Sequence, residues 1–217
     1  MKGNPIRTTV LSVKMIPNAD PMLLKALKVP KAHQSLGVIT TDCDDVSYAA
    51  LDEATKKADV QVAYAKSMYA GSKNASTALT GEFIGILSGP NPSDVKSGLD
   101  AAIDFCENVA TFYSANDEGS VVYFAHCISR TGSYLSKQAK VPEGTPMAYL
   151  IAPPLEATLG LDAALKAAEV EMKVFYGPPT EANFAGGLLV REQGACRAAW
   201  EGCVGTVCEI AGDPTGF

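Results

Sequence analysis

Two periods of apolar recurrence take turns along this chain. Leu51, Ala54 and Ala58 recur at i, i+3 and i+7, the spacing of one helical face. Alanine lets such a face pack closely and costs little side-chain entropy. Beyond it the period falls to two: Val60, Val62 and Tyr64 alternate with Gln61 and Ala63, which predicts a strand with one buried face. The same switch returns where Val170, Met172 and Val174 alternate with Glu171 and Lys173. The two regions are related in detail. The run LDEATKKADVQ at 51–61 reappears as LDAALKAAEVE at 161–171, with 6 of 11 positions identical and a separation of 110 residues, about half of the 217-residue chain. Recurrence at that distance predicts a duplicated unit.

The duplication extends well past this stretch. Lys28-Val29-Pro30 returns as Lys140-Val141-Pro142, residues 36–40 match 148–152, and 10–16 lie opposite 122–128, each at a separation of 112. The second copy therefore begins near residue 113. Two domains are expected, 1–112 and 113–217, each long enough for a core of its own. Each copy reads as strand, short helix, strand, long helix, strand, strand, helix. Strands are expected near 9–16, 36–41, 60–66 and 82–88, and again near 120–126, 147–152, 169–175 and 185–191. Gly89-Pro90-Asn91-Pro92-Ser93 suits the entry to a helix near 92–108, because proline and a capping Asn or Ser fit a first turn. Its buried face is Val95, Leu99, Ala102, Ile103 and Cys106. The matching helix near 193–210 presents Cys196, Ala199, Cys203, Val207 and Ile210. One element is not shared: the long polar connection at 67–81 is shortened to 177–183 in the second copy. Connections of that length are either mobile or functional elements, or simply solvated hairpin tips.

Composition narrows the classes. Apolar residues make up 47% and charged residues 19%, the balance of a folded globular chain. A net charge of −6 with no basic stripe argues against nucleic acid or an anionic membrane surface as a partner. No signal peptide is evident at the N-terminus. The most apolar window, 147–159, is interrupted by Pro153, Pro154 and Glu156 and is too short to span a bilayer. A cytosolic chain is expected, with its six cysteines (43, 106, 127, 196, 203 and 208) reduced. The sequon Asn74-Ala75-Ser76 is then unused.

Familiar catalytic motifs do not occur: no P-loop, no GxGxxG, no GxSxG and no HExxH. His126-Cys127-Ile-Ser-Arg130 echoes the cysteine-phosphatase loop, but two residues separate Cys from Arg where five are needed for backbone N–H groups to ring a phosphate. Cys127 reads as a buried thiol at a strand end. Cys196, Cys203 and Cys208 form no tight CxxC pair, and His33 and His126 lack ligand spacing, so no metal site is assigned. Asp42, Asp44 and Asp45 form the most charged point of the first copy. A calcium loop fails there, since its fifth and sixth positions would be Val46 and Ser47. N-capping of a helix over 47–58 accounts for one carboxylate and leaves the others available to a cation. Glu82 is a further acid, at the start of a strand. If the strand ends meet, Asp44, Asp45 and Glu82 make a small anionic pocket, to which Phe112 at the junction of the copies adds an apolar or cation–π wall.

The run at 161–171 resembles the helix–strand core of bacterial microcompartment shell domains, and two such domains in tandem resemble the trimeric shell proteins. SLGVITTDCDD at 35–45, GPNP at 89–92, SRTGSYL at 129–135 and MAYLIAPPLEA at 147–157 are similar to shell proteins of ethanolamine-utilization microcompartments, over nearly the whole chain. The resemblance implies an α/β (α+β) chain of two tandem, circularly permuted shell domains, each a small sheet with flanking helices. It implies a homotrimer, shaped as a pseudohexamer, that tiles with other shell proteins and has no enzymatic activity. A gated central pore would use the 67–81 loop as its gate. Smaller pores in each subunit would bind ethanolamine through Asp44, Asp45, Glu82, Phe112, Ala182, Asn183 and Phe184. No cofactor is required, although the larger pore would pass or bind the cobalamin of the pathway's lumenal enzyme. Elementary chemistry agrees with the implied ligand, since carboxylates beside an aromatic face suit a small ammonium alcohol and acidic rings favour cations in pores. Two near-equal domains in a trimer give the six similar edges needed to tile a plane. The rival reading is a soluble amine-binding regulator that uses the same acidic pocket without forming sheets.

Overall fold

A computed structural model describes residues 1–68, 82–178 and 184–216. In chain order the first half carries β1 (Pro5–Ile6), β2 (Val10–Ile16), α1 (Pro21–Ala26), β3 (Ser35–Thr41), α2 (Asp44–Lys57), β4 (Gln61–Ser67), β5 (Phe83–Gly89) and α3 (Pro92–Asp104). The second carries β6 (Phe112–Ser114), β7 (Val122–Ile128), α4 (Ser133–Ala139), β8 (Met147–Ala152), α5 (Pro154–Ala167), β9 (Glu171–Tyr176), β10 (Ala185–Val190) and α6 (Gln193–Gly212). The strands form one antiparallel sheet of order β2-β3-β5-β4 and another of order β1-β6-β7-β8-β10-β9. The arrangement β2-β3-β5-β4 is therefore repeated as β7-β8-β10-β9.

Two compact units result, and they do not follow a single cut in the chain. One comprises Thr8–Ala110 with Gly132–Leu135; the other comprises Met1–Arg7, Thr111–Thr131 and Ser136–Phe217. A division into 1–112 and 113–217 misses two exchanges. The first seven residues go with the second unit because β1 pairs with β6, Ile6 opposite Phe112. Gly132–Leu135 go with the first because their backbone N–H groups are taken up by α2, as described below.

In the first unit α2 and α3 pack on the sheet, burying Val46, Leu51, Ala54, Val95, Leu99 and Ala102. Their close approach needs Gly37 in the central strand, where a Cβ would stand 2.7 Å from both Val95 and Leu99. In the second unit α5 and α6 cover one sheet face through Leu161, Ala164, Cys196, Ala199, Cys203 and Val207. The duplication persists in local geometry. Lys28 and Lys140, at equivalent positions, have φ of 56° and 55°. Each ends a short helix in the left-handed conformation, and Val29 and Val141 then donate back to the carbonyls of Leu24 and Ser136, both at 3.0 Å.

Three local expectations change. The second helix starts at Asp44, not at 47, so Asp44 and Asp45 lie inside its first turn; Cys43 is the N-cap and makes no side-chain capping bond. The helix near 92–108 is α-helical only to Asp104 and continues as a π turn over Phe105–Val109. Tyr64, read as part of a buried strand face, is exposed. A bulge between Val62 and Tyr64 in β4 breaks the parity on which period-two reasoning depends. The second copy has the same irregularity between Val174 and Met172, opposite Leu188 and Leu189.

Candidate functional site

The acidic residues assemble at one end of the first unit's sheet. β3 ends at Thr41, whose carbonyl accepts the Glu82 N–H at 2.7 Å, and the Glu82 carbonyl in turn accepts the Met68 N–H at 2.6 Å. The strand ends carrying Asp42 and Glu82 are therefore held side by side. Asp42 is fixed by the Thr9 N–H, which donates to its Oδ1 at 2.7 Å. Asp44 and Asp45 are both buried. Their position in the first turn of α2 sets them in the favourable field of the helix N-terminus, and Asp44 Oδ1 accepts the Asp45 N–H at 2.8 Å.

Electrostatics confirm that these groups feel one another. Burial raises the Glu82 carboxyl above the ordinary carboxylate range, and the charges of Asp44 and Asp42 raise it further. The Cys43 thiol is pushed up strongly, first by burial and also by Asp45 and Asp44, which makes it a poor nucleophile. Burial likewise raises the Tyr48 phenol, with Asp44 and Asp45 adding to the shift; its oxygen lies 2.8 Å from Ser67 Oγ at the far end of β4. Thr8 completes the cluster. Its buried Oγ1 lies beside the Cys43 thiol and acts on that thiol against the effect of burial. Asp42, Thr8 and Tyr48 were not assigned to the site from sequence. The signal for Asp42 was present, because the helices repeat at 110 residues and the strands before them at 112. The difference is a two-residue insertion, Asp42-Cys43, peculiar to the first copy.

The aromatic candidates belong to the second unit. Phe112 is buried and packs edge-on against Phe184, with ring centroids 5.8 Å apart, and stacks on Phe124 at 5.5 Å. Ala182 and Asn183 lie outside the described residues, as does nearly all of the expected gate at 67–81. Among the described residues no three His, Cys, Asp or Glu side chains are grouped as a metal site, and no helix is long and apolar enough to cross a membrane. Cys127 lies within β7, half-buried, with its Sγ directed to the Cys196 carbonyl at 3.6 Å and its thiol pushed by burial to about 11.

This architecture, a four-stranded antiparallel sheet with packed helices present twice, coincides with a domain match: residues 35–117 match the BMC domain. The fold and that match define a microcompartment shell-domain protein built on a tandem repeat. The bacterial microcompartment shell protein EutL of Clostridium perfringens (strain 13 / Type A) is 58% identical over the full length of both chains. EutL of Escherichia coli (strain K12) is 46% identical, covering 96% of this chain and 95% of the relative. The crystal structure of the ethanolamine utilization protein EutL from Leptotrichia buccalis C-1013-b superposes with a TM-score of 0.97 over all of both chains at 59% identity. A trimeric shell protein PduB shares the fold, with a TM-score of 0.74 at 19% identity over 94% of this chain and 89% of its own. The chain belongs to the EutL family of bacterial microcompartment shell proteins. That family is one of structural shell components, not of enzymes.

Proposed function

We propose that this chain builds the shell of an ethanolamine-utilization microcompartment as a homotrimeric pseudohexamer, and that its acidic cluster binds ethanolamine. The observation that carries the ligand is the gathering of Asp42, Asp44, Asp45 and Glu82 at one end of the sheet, where the Glu82 N–H donates to the Thr41 carbonyl at 2.7 Å and Asp44 and Asp45 are buried in the first turn of α2. Like charges gathered at one sheet end are relieved by a cation. A small ammonium alcohol also brings a hydroxyl, which suits the Thr8 Oγ1 buried beside Cys43. The 59%-identical Leptotrichia relative is an ethanolamine utilization protein, which supports the choice of amine. The duplicated unit supports the assembly, since three chains of two similar domains present six similar edges.

Two experiments test this. Titration calorimetry with ethanolamine should give binding that is lost in Asp45→Asn and Glu82→Gln; undiminished affinity in both variants removes the ligand assignment. Electron microscopy of overexpressing cells should show sheets, tubes or hexagonal arrays, whereas a chain that stays dispersed would favour the soluble regulator.

A further inference from the structure

Beneath the carboxylates the first unit holds a buried chain of polar side chains. Thr41 closes β3, Ser47 is the fourth residue of α2, and Cys106 lies in the π turn that follows α3. They are 0%, 2% and 0% exposed. Thr41 Oγ1 and Ser47 Oγ are 2.6 Å apart, and both reach the Cys43 carbonyl oxygen, at 2.8 and 2.6 Å. Cys106 Sγ lies 3.9 Å from Ser47 Oγ and closes the chain. Each hydroxyl has one proton to give. One donates to the Cys43 carbonyl; the other joins it there or donates across to its neighbour.

What the chain grips is the turn that carries the charges. In sequence Thr41 and Ser47 bracket Asp42, Asp44 and Asp45, and the carbonyl they hold belongs to Cys43, in the middle of that turn. Thr41 does more. Its own carbonyl accepts the Glu82 N–H at 2.7 Å. One residue thus ties the aspartate turn by its side chain and the glutamate by its backbone.

The second copy folds without the chain. By the repeat Thr41 corresponds to Pro153, and Ser47 to Ala157, the fourth residue of α5. Counted from the helix starts at Pro92 and Gln193, Cys106 corresponds to Val207. None of the three replacements has a side chain that donates or accepts a hydrogen bond. Ala157 and Val207 are still 2% and 1% exposed, and the strand order is the same in both copies. Moreover, α6 is α-helical from Gln193 to Gly212, without a π turn. The polar chain, the π turn and the Asp42-Cys43 insertion occur together in the copy with the carboxylates, and the other copy lacks all three. Single π turns within helices are frequent at functional sites. Buried hydroxyls add little net stability and cost free energy when unpaired, so the fold alone gives no reason to keep them.

We propose that Thr41, Ser47 and Cys106 are positioning residues of the amine site: they hold the turn from which Asp42, Asp44 and Asp45 act and, through Thr41, fix its spacing from Glu82. Crowded carboxylates repel one another, and a turn already held in its binding shape loses less freedom when the ligand arrives. The proposal rests on the reading of the acidic cluster as an ethanolamine site.

Titration calorimetry with ethanolamine on the full chain, well below the melting temperature of each variant, tests it. Thr41→Val keeps the shape of the side chain and removes its hydroxyl, Thr41→Ser keeps the hydroxyl, and Ser47→Ala installs the residue that the second copy buries at the same place. Thr41→Val and Ser47→Ala should each bind about fivefold more weakly with unchanged stoichiometry, and Thr41→Ser should bind as the unchanged protein does. A purely structural role would lower the melting temperature and leave the affinity of the folded chains as it was. The two hydroxyls are tested separately, so a Thr41→Val chain that fails to fold leaves Ser47→Ala to decide. Folded variants that bind as tightly as the unchanged protein overturn the inference and leave the ligand reading standing, as does a Thr41→Ser chain as weak as Thr41→Val. An unchanged protein that takes up no ethanolamine overturns the ligand reading itself.

Discussion

Removing the Asp52 carboxylate isolates a single structural role. Burial raises this carboxyl above the ordinary range, against the pull of the Gly132 and Leu135 N–H groups and of Lys56. The charge is thus costly where it sits, and one argument says that deleting it should help. The opposing term is larger. Asp52→Ala leaves two backbone donors at the start of α4 without their acceptor, and a charge-assisted bond to a buried donor contributes about 1.5–3 kcal/mol. Lys56 compensates little, its Nζ being 3.9 Å away. We expect a net loss of about 3–5 kcal/mol. For a chain of this size each kcal/mol moves the melting temperature by roughly 2–4 °C, so the shift is on the order of 10 °C. Asp52→Asn keeps one acceptor and turns an amide toward the other donor, and should lie between. Asp100→Ala, which removes an exposed partner of Lys96, should stay within about 0.5 kcal/mol. Thermal unfolding followed by circular dichroism at one protein concentration measures all three. A melting temperature for Asp52→Ala within about 2 °C of the unchanged protein would show that desolvation cancels the bonds, and would refute the reasoning.

Other consequences are local. Gly132→Ala places a methyl group against Thr55 Oγ1 and the Asp52 carbonyl oxygen, and should cost about 1–3 kcal/mol in the same melting assay. Trp200 Nε1–H donates to the Ala125 carbonyl at 3.0 Å, so Trp200→Phe should lose about 1 kcal/mol in the same melting assay. Because the folded Glu82 holds its proton above the pH at which an unfolded carboxyl has lost it, its contribution to stability is full at acid pH and fades as pH rises through the folded value. Ammonium binding has the opposite sense: affinity should rise with pH through that value, calorimetry across that rise should detect proton release, and Glu82→Gln should abolish the release. Burial pushes Cys106 and Cys203 to about 12, so iodoacetamide at neutral pH should label them only after denaturation, as read by mass spectrometry.

Much of the fold was legible because the chain states it twice. Strand, helix and sheet order follow from periods of two and 3.6, and the recurrence of Lys-Val-Pro marks the same left-handed helix ending in both copies. What escaped is what pairing and packing decide. No local pattern marks β1 and β6, which exist because Ile6 and Phe112 pair across more than a hundred residues. The bulge at Val62 and Tyr64 depends on a partner strand and reverses which side chains face inward. Asp52 is the sharpest case. It and Asp162 occupy identical places in the best-matched run of the repeat, yet the carboxylate of one is 1% exposed and that of the other 62%. Sequence identity gave no warning, because the difference lies in what each helix has found to hold.

The acidic site follows the same logic of divergence from a common frame. β3 and β8 lead into α2 and α5 in the same way, except that Asp42-Cys43 is inserted before α2 where α5 begins directly at Pro153-Pro154. The insertion gives Asp42 room to meet the Thr9 N–H, and the first turn that follows carries Asp44 and Asp45 in place of Pro154 and Leu155. The change has two sides. The first copy gains buried carboxylates at the helix N-terminus, and the second has Leu155 exposed on α5. One duplicated helix entry thus carries buried carboxylates in one unit and an exposed apolar side chain in the other. The two surfaces sit on separate copies for a physical reason, since a charge that suits a cation would disrupt an apolar contact.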